Sequence, residues 1–235
     1  MKPTAFCIAG CFLLLHSLVR GESEDVVALK TFIPTPAFRS GPVSVTATNL
    51  EPRWSAPRAT FWVPIGTANL AAGRPVSASS TNLASSILAK ITDGEKSSWE
   101  DSCVEVGFRK QWIKIDLSQD AEIFAVLVWH CYSEHSIFFD VVVQISTDPD
   151  FQKEVTTIFN NDTDNTLGLG VGKDQNYYET HEGKLMDAKG TKGRYVRLCS
   201  NGSARDLSNY YMEVEVFGRP IKGVVPSIDT KPNGR

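Results

Sequence analysis

The chain is short of long apolar runs, of cysteine and of basic charge. Its longest apolar run, residues 5–15 (AFCIAGCFLLL), is too short to span a bilayer, which needs ~20 residues. No other segment is apolar enough to enter a membrane. No long stretch holds a strong 3.6-residue apolar period, so nothing argues for a helix bundle. No internal repeat is present. Lys and Arg number 24 against 27 Asp and Glu. That balance is poor for nucleic acid, whose binding runs on Lys and Arg contacts to phosphate. The G-x-S-x-G elbow of serine hydrolases is missing. GLGVGKD (168–174) lacks the spacing of a phosphate loop. His130 and His135 with Asp140 make a poor zinc set, because the segment reads as a hairpin. The acid pairs Glu213/Glu215 and Glu100/Asp101 lie in no apolar pattern that would raise one pKa, as a general acid requires. The chain therefore reads as a non-enzyme. An all-β hydrolase, the less favoured reading, would need an acid pair facing across a cleft.

The ends of the chain differ from its middle. Lys2, the apolar run and Leu18-Val19-Arg20-Gly21 form a signal-peptide pattern over residues 1–21. Ile8-Ala9-Gly10-Cys11 also has the form of a lipoprotein site. Removal of the leader leaves 214 residues with 22 basic and 27 acidic side chains. The expected location is secreted, periplasmic or cell-surface. Residues 22–66 hold six of the 12 prolines. Proline removes a ladder donor and breaks both helix and central strand. This stretch reads as a linker, or as an extension draped on the domain through Trp54, Phe61 and Trp62; an ordered first strand is the alternative. Residues 221–235 read as a flexible tail.

Residues 67–220 carry short segments that alternate apolar and polar residues, the pattern of half-buried strands. Strands are predicted at 75–79, 111–117, 122–130, 139–146, 155–159, 194–199 and 211–217. LASSILAKI (83–91) suits one helical turn before the Asp93-Gly94 turn, and 160–192 reads as a long polar loop. The fold class is all-β, an antiparallel β-sandwich with its function in loops at one end. Trp112 and Trp129 belong to the core. Cys103, Cys131 and Cys199 remain after the leader; Cys131 and Cys199 both follow predicted strands and are the favoured disulfide, with three separate thiols as the alternative.

Two constellations carry chemistry. In TDGEKSSWEDSC (92–103), the Asp93-Gly94 turn sets carbonyls beside carboxylates and hydroxyls. Calcium takes six to eight such oxygens at roughly 2.3–2.6 Å. Ser102 can contribute, and Glu213 or Glu215 can close the site, since both share a strand face. An ordinary solvated turn is the plainer reading. Asn160 to Asn165 opens like an EF-hand loop but lacks its sixth-position Gly and twelfth-position Glu. The loops 130–135 and 200–206 supply His130, Tyr132, His135, Asn201 and Arg205, and Trp99 adds an aromatic from the turn loop. Sugars need planar multi-donor groups and a stacking surface.

The ordered set NLAAGRPVSAS (69–79), DG (93–94), SC (102–103), QWIKIDL (111–117), GRYVRL (193–198) and EVEVFG (213–218) resembles the discoidin, or coagulation-factor C-type, family of galactose-binding-like jelly rolls. It is most similar to bacterial exported members, with fucose-binding lectins more distant. The resemblance implies a structural calcium held by Lys90 (carbonyl), Asp93, Glu95 (carbonyl), Ser102, Met212 (carbonyl) and Glu213. It implies a sugar site on the loops near that calcium. Two departures stand out. The lectins pair the Cys after that Ser with a Cys before that Glu, where this chain has Cys103 and Met212; and their arginine pair is not reproduced in the first loop. The expected partner is a carbohydrate or glycoconjugate, with another protein as the alternative. No nucleic acid and no membrane insertion are expected.

Overall fold

The computed structural model describes residues 25–36, 47, 49–52, 56–97, 102–133 and 136–221. The signal pattern, Trp54, Trp99, His135, the pair Glu100/Asp101 and all of the tail but its first residue lie outside the described residues.

One strand, β6 (Lys110–His130), organises the molecule. Its first half, Lys110–Asp116, pairs with Tyr195–Asn201 of β9 (Lys184–Asn201), and its second half, Ala121–Val128, pairs with Lys184–Gly193 of the same strand. The register breaks between Asp116 and Ala121, where Ser118 takes a positive φ of 64°. Both ends of β6 reach the start of β10 (Ser208–Pro220): Arg109 N–H donates to Leu207 O at 2.9 Å, and His130 pairs with Tyr211. The strand leaves one pole, turns, and returns to that pole in the opposite layer. The main sheet order is β3-β10-β6-β9-β7-β8, with β4 on β6 and β5 on β10. Here β3 is Ala68–Asn69, β4 Val76–Ala78, β5 Val104–Phe108, β7 Val142–Ser146 and β8 Thr156–Asn160. All these pairings are antiparallel. A short helix, α1 (Ser85–Leu88), and a tight helical turn over Ala89–Thr92 precede the Asp93-Gly94 turn.

The interior is filled by period-2 residues: Ile113, Ile115 and Leu117 from the first half of β6, Val126 and Val128 from its second, Val196 and Leu198 from β9, Val214 and Val216 from β10. A second apolar cluster lies on the outer side of the returning layer: Ala125, Leu127, Trp129, Tyr132, Met212 and Phe217. A register shift between Ile123 and Ala125 switches the alternation, so Ile123 and Val126 both face inward. Leu29 and Phe61 pack on the outer cluster. Beside it, β1 (Val26–Ala28) pairs antiparallel with β2 (Trp62–Pro64).

Several expectations change. IFAVLVWH reads as a half-buried strand, but Ala125 to His130 have no exposure on either face. Continuous apolar runs are what doubly covered strands require. Strand β5 falls in what reads as a loop. Residues 184–193 belong to β9 although they read as the end of the long loop, because Asp187 and Lys189 are exposed while Met186 and Ala188 face the core. Burying a large aliphatic side chain contributes ~1.5–3 kcal/mol. We expect Leu127→Ala, on the outer face, to lower unfolding free energy by ~2–5 kcal/mol in a denaturant titration. A change below ~0.5 kcal/mol would mean that this face is wet.

Candidate functional site

The pole where β6 starts and ends carries the loops in question. Phe138 and Ser203 form an isolated bridge. Phe139 N–H donates to Gly202 O at 2.9 Å, Asn201 N–H to Phe139 O at 2.8 Å, and Ala204 N–H to Ile137 O at 3.0 Å. Asn209, fully buried, fixes the cluster: its Oδ1 accepts from Gly202 N–H at 2.7 Å, and its Nδ2 donates to Gly107 O at 2.9 Å and Arg109 O at 2.5 Å. Gly202 has φ 85°, and a Cβ there would meet Leu207 O at 2.4 Å, so only glycine fits. A buried side-chain amide with its valences filled holds loops more rigidly than exposed contacts can.

The structure sorts the predicted sugar ligands by depth. His130 is fully buried beneath the rim, stacked on Phe138 at 4.3 Å and tilted against Tyr211 at 4.6 Å. Its Nδ1 lies 2.7 Å from Glu179 Oε1, and its Nε2 is buried with no hydrogen-bond partner. Tyr132 is also buried, and its hydroxyl donates to Lys96 O at 3.1 Å. Burial raises the phenol pKa. Neither side chain lines an open surface. Asn201 is half-buried and donates to Asp140 Oδ2 at 2.8 Å. Arg205 faces solvent with 49% of its side chain exposed, its Nε 3.9 Å from Asp206 Oδ2. His130 and Arg205 share one pole, joined through Phe138 and Ser203, but at different depths.

Two rim residues, Asp206 and Phe108, are not among the predicted ligands. Asp206 Oδ2 accepts from the Tyr210 hydroxyl at 3.0 Å. Phe108, at the end of β5 and paired with Ser208, is 57% exposed. An exposed Phe next to Arg109, which has φ 56°, marks a strand end turned outward; no period in the sequence signals it.

The Asp93-Gly94 turn sits against β10. Gly94 N–H donates to Glu213 Oε2 at 3.0 Å, Glu95 N–H to Asp93 Oδ1 at 2.9 Å, and Lys96 Nζ to Glu215 Oε1 at 2.7 Å. Glu213 and Glu215 thus share a face and both meet this turn. Lys96 is buried with its Nζ 4.3 Å from the Trp129 ring centroid, and Thr31 Oγ1 donates to Glu215 Oε2 at 2.5 Å. Desolvation pushes the Glu213 carboxyl up to about 9. The sequence offers no hint of such surroundings, because they come from elements far apart in the chain. Glu213 Oε1 and Ser102 Oγ are buried without hydrogen-bond partners. An unpaired buried oxygen costs ~1–3 kcal/mol, and a hard cation satisfies such oxygens. The residues at this turn fit calcium on that ground.

The disulfide is Cys103–Cys131, with Cα atoms 6.1 Å apart. The favoured pair Cys131–Cys199 is not formed. Cys199 lies inside the sheet, between Trp112 and Val142, buried and free. The bridge ties the residue after Ser102 to the residue after His130. Closing its 28-residue separation contributes about 3–4 kcal/mol in the chain-entropy account.

Asp140, Asp162 and Asp164 bring carboxylate oxygens within 4.8 Å of one another. Asp162 Oδ1 and Oδ2 accept the backbone N–H groups of Thr166 and Leu167 at 2.8 Å each, so its oxygens already organise the loop.

Neither the protein-family models nor the curated proteins match the chain. Solved structures do. A chitosan-binding module 1 from a chitosanase/glucanase of Paenibacillus sp. IK-5 is 20% identical over 64% of this chain and 99% of its own, with a TM-score of 0.42. A fucose binding module, SpX-3, of Streptococcus pneumoniae is 18% identical over 63% of this chain and 96% of its own, with a TM-score of 0.44. The lectin domain of Lectinolysin, complexed with Lewis B antigen, is 18% identical over 64% and 96%, with a TM-score of 0.44. Likenesses at this level carry no argument about ligand. The motifs themselves fall on β4, β6, β9 and β10 of one antiparallel sandwich, the fold class the discoidin resemblance implies.

Burial raises the Cys199 thiol to about 11. We expect non-reducing peptide mapping to find Cys103 joined to Cys131, and Cys199 to resist alkylation at pH 8 until the chain unfolds. A Cys199-containing bridge, or rapid native alkylation of Cys199, would contradict this arrangement.

Proposed function

We propose that the chain is an exported, non-catalytic carbohydrate-binding module that grips sugar hydroxyls with its polar rim. The observation that carries this reading is the rim: Arg205, Asp206 and Tyr210 outward with Phe108 beside them, on loops fixed by the buried Asn209. A guanidinium with several donors, a carboxylate acceptor and an exposed ring are what a pyranose requires. Asn201 belongs to the same loop, and His130 supports it from below through Phe138. The acid pair Glu213/Glu215 is held by Gly94 N–H and Lys96, so these two carboxyls do not face each other across a cleft as a hydrolase's pair would. Among the described residues, no helix is long and apolar enough to cross a membrane.

Calcium belongs to the same reading. Asp93, Ser102 and Glu213 would hold it through side chains, and Lys90, Glu95 and Met212 through carbonyls. The ion would supply positive charge to a buried carboxyl and stiffen the loop below the rim. A second reading, a protein-interaction surface on the same rim, draws on the exposed Phe108 and Leu207.

Calorimetric titration against galactose, fucose and N-acetylglucosamine tests the sugar reading. Binding of at least one, weakened tenfold or more by Arg205→Ala at an unchanged melting temperature, is expected. Silence across all three with calcium present would remove it. For the ion, calcium at a hundredfold over its Kd should stabilise the wild-type chain by about 2.7 kcal/mol and leave Glu213→Gln unmoved. Equal shifts in both would place the ion elsewhere.

A further inference from the structure

A cavity of about 570 Å³ lies between residues 51–52 and 56–61 on one side and residues 177–185 on the other, away from the rim. Both walls are built. On one side, Leu50 bridges Asn176, and Glu51 N–H donates to Asn176 O at 2.8 Å. On the other, Arg58 N–H donates to Glu182 Oε2 and Arg58 Nη1 to Glu182 O, each at 2.8 Å. Lys184 Nζ donates to Glu51 Oε2 at 2.7 Å and lies 4.7 Å from the Tyr177 ring centroid. Phe61 and Tyr178 add aromatic surface to the lining. The turn can form the floor because Gly183, at φ 67°, lies against Trp129, where a Cβ would be 2.5 Å from the ring.

The lining chemistry selects a class of ligand. Two cations and two carboxylates line the space, Lys184 paired with Glu51 and Arg58 tied to Glu182 through main-chain groups of each, so their formal charges cancel and no net charge is favoured. A guanidinium has five N–H donors and a carboxylate about four acceptor sites, so each pair keeps capacity after its mutual bonds. A hydroxyl both donates and accepts, and it can bridge such a pair. The rings offer apolar faces to C–H groups. The volume falls within the range of roughly 300–1,000 Å³ typical of small-ligand sites.

We propose that this cavity is a second carbohydrate site, taking a neutral pyranose or disaccharide, with Arg58, Glu182, Glu51 and Lys184 bonding its hydroxyls and Tyr178 and Phe61 against its ring. The proposal rests on the carbohydrate reading of the chain but uses none of the rim residues. It gives the Pro-rich extension a part in binding, since Glu51, Arg58 and Phe61 all belong to it.

The test is calorimetric titration of the full chain with lactose and with N,N′-diacetylchitobiose, in four forms: wild type, Arg205→Ala, Ala59→Trp and Tyr178→Ala. Ala59 is an exposed lining residue, so a Trp there fills the space without removing a core contact. Tyr178→Ala empties it instead, so the two variants do not share a folding defect; thermal melting is the control. The expected result is a stoichiometry near two for at least one probe. Arg205→Ala should leave one site, and Ala59→Trp and Tyr178→Ala should each weaken that remaining site tenfold or more. Binding of one probe per chain that Arg205→Ala abolishes and Ala59→Trp spares would overturn the cavity and leave the rim standing. Binding that survives Arg205→Ala but not Ala59→Trp would establish the cavity and overturn the rim. No binding of either probe would overturn the cavity and leave the rim to the three-sugar titration above.

Discussion

The returning half of β6 has no wet face. Ala125, Leu127 and Trp129 point away from the sandwich core, yet they are as buried as Val126 and Val128, which point into it. A sheet face of that composition must be covered or it becomes a site of association. Covering it dictates much of the rest. Leu29 and Phe61 lie across it, Met212 and Phe217 extend it along β10, and Tyr132 closes its upper end. The Cys103–Cys131 bridge ties the turn loop to the same strand end. The cavity proposed as a second site lies where this cover meets residues 177–185.

Buried charge follows from the same constraint. Lys96 reaches the covered face and meets Glu215 and the Trp129 ring there. Two desolvated charges need close pairing and further hydrogen bonds to be tolerated; Thr31 supplies one of these to Glu215. Glu213, two residues earlier, receives the Gly94 N–H on one oxygen and has no hydrogen-bond partner on the other, and burial drives its carboxyl toward the neutral form. One turn thus presents both a satisfied ion pair and an unsatisfied carboxyl. That contrast is the ground on which the calcium proposal places its ion at the Asp93-Gly94 turn.

The layers were legible in the sequence because their residues repeat locally. Alternation marks the first half of β6, β7 and β10, and the motif order marks the sandwich as a whole. What escaped was everything set by contacts between distant residues. Strand 184–193 hides behind outward lysines. Asn209 looks like any turn asparagine until its three backbone partners are known. Strand logic offered Cys131 only Cys199, and the path of the Ser102–Cys103 segment, set by distant contacts, selects Cys103 instead. His130 and Tyr132 carry the right chemistry for a sugar in the right loop, but depth has no signature in a single sequence. Arg205 was identifiable because the polar, glycine-containing stretch before it already marks a turn, whereas Phe108 was not, because a strand-end aromatic usually faces the core.

The account centres on a rim that binds by its outer side chains while the histidine beneath stays sealed. A crystal structure of the chain soaked with calcium and a binding sugar tests this most directly. The account predicts sugar density against Arg205, Asp206 and Phe108, an ion bonded to Glu213, and His130 still stacked between Phe138 and Tyr211. Sugar bonded to His130 in a pocket opened by displacement of Phe138 would contradict it.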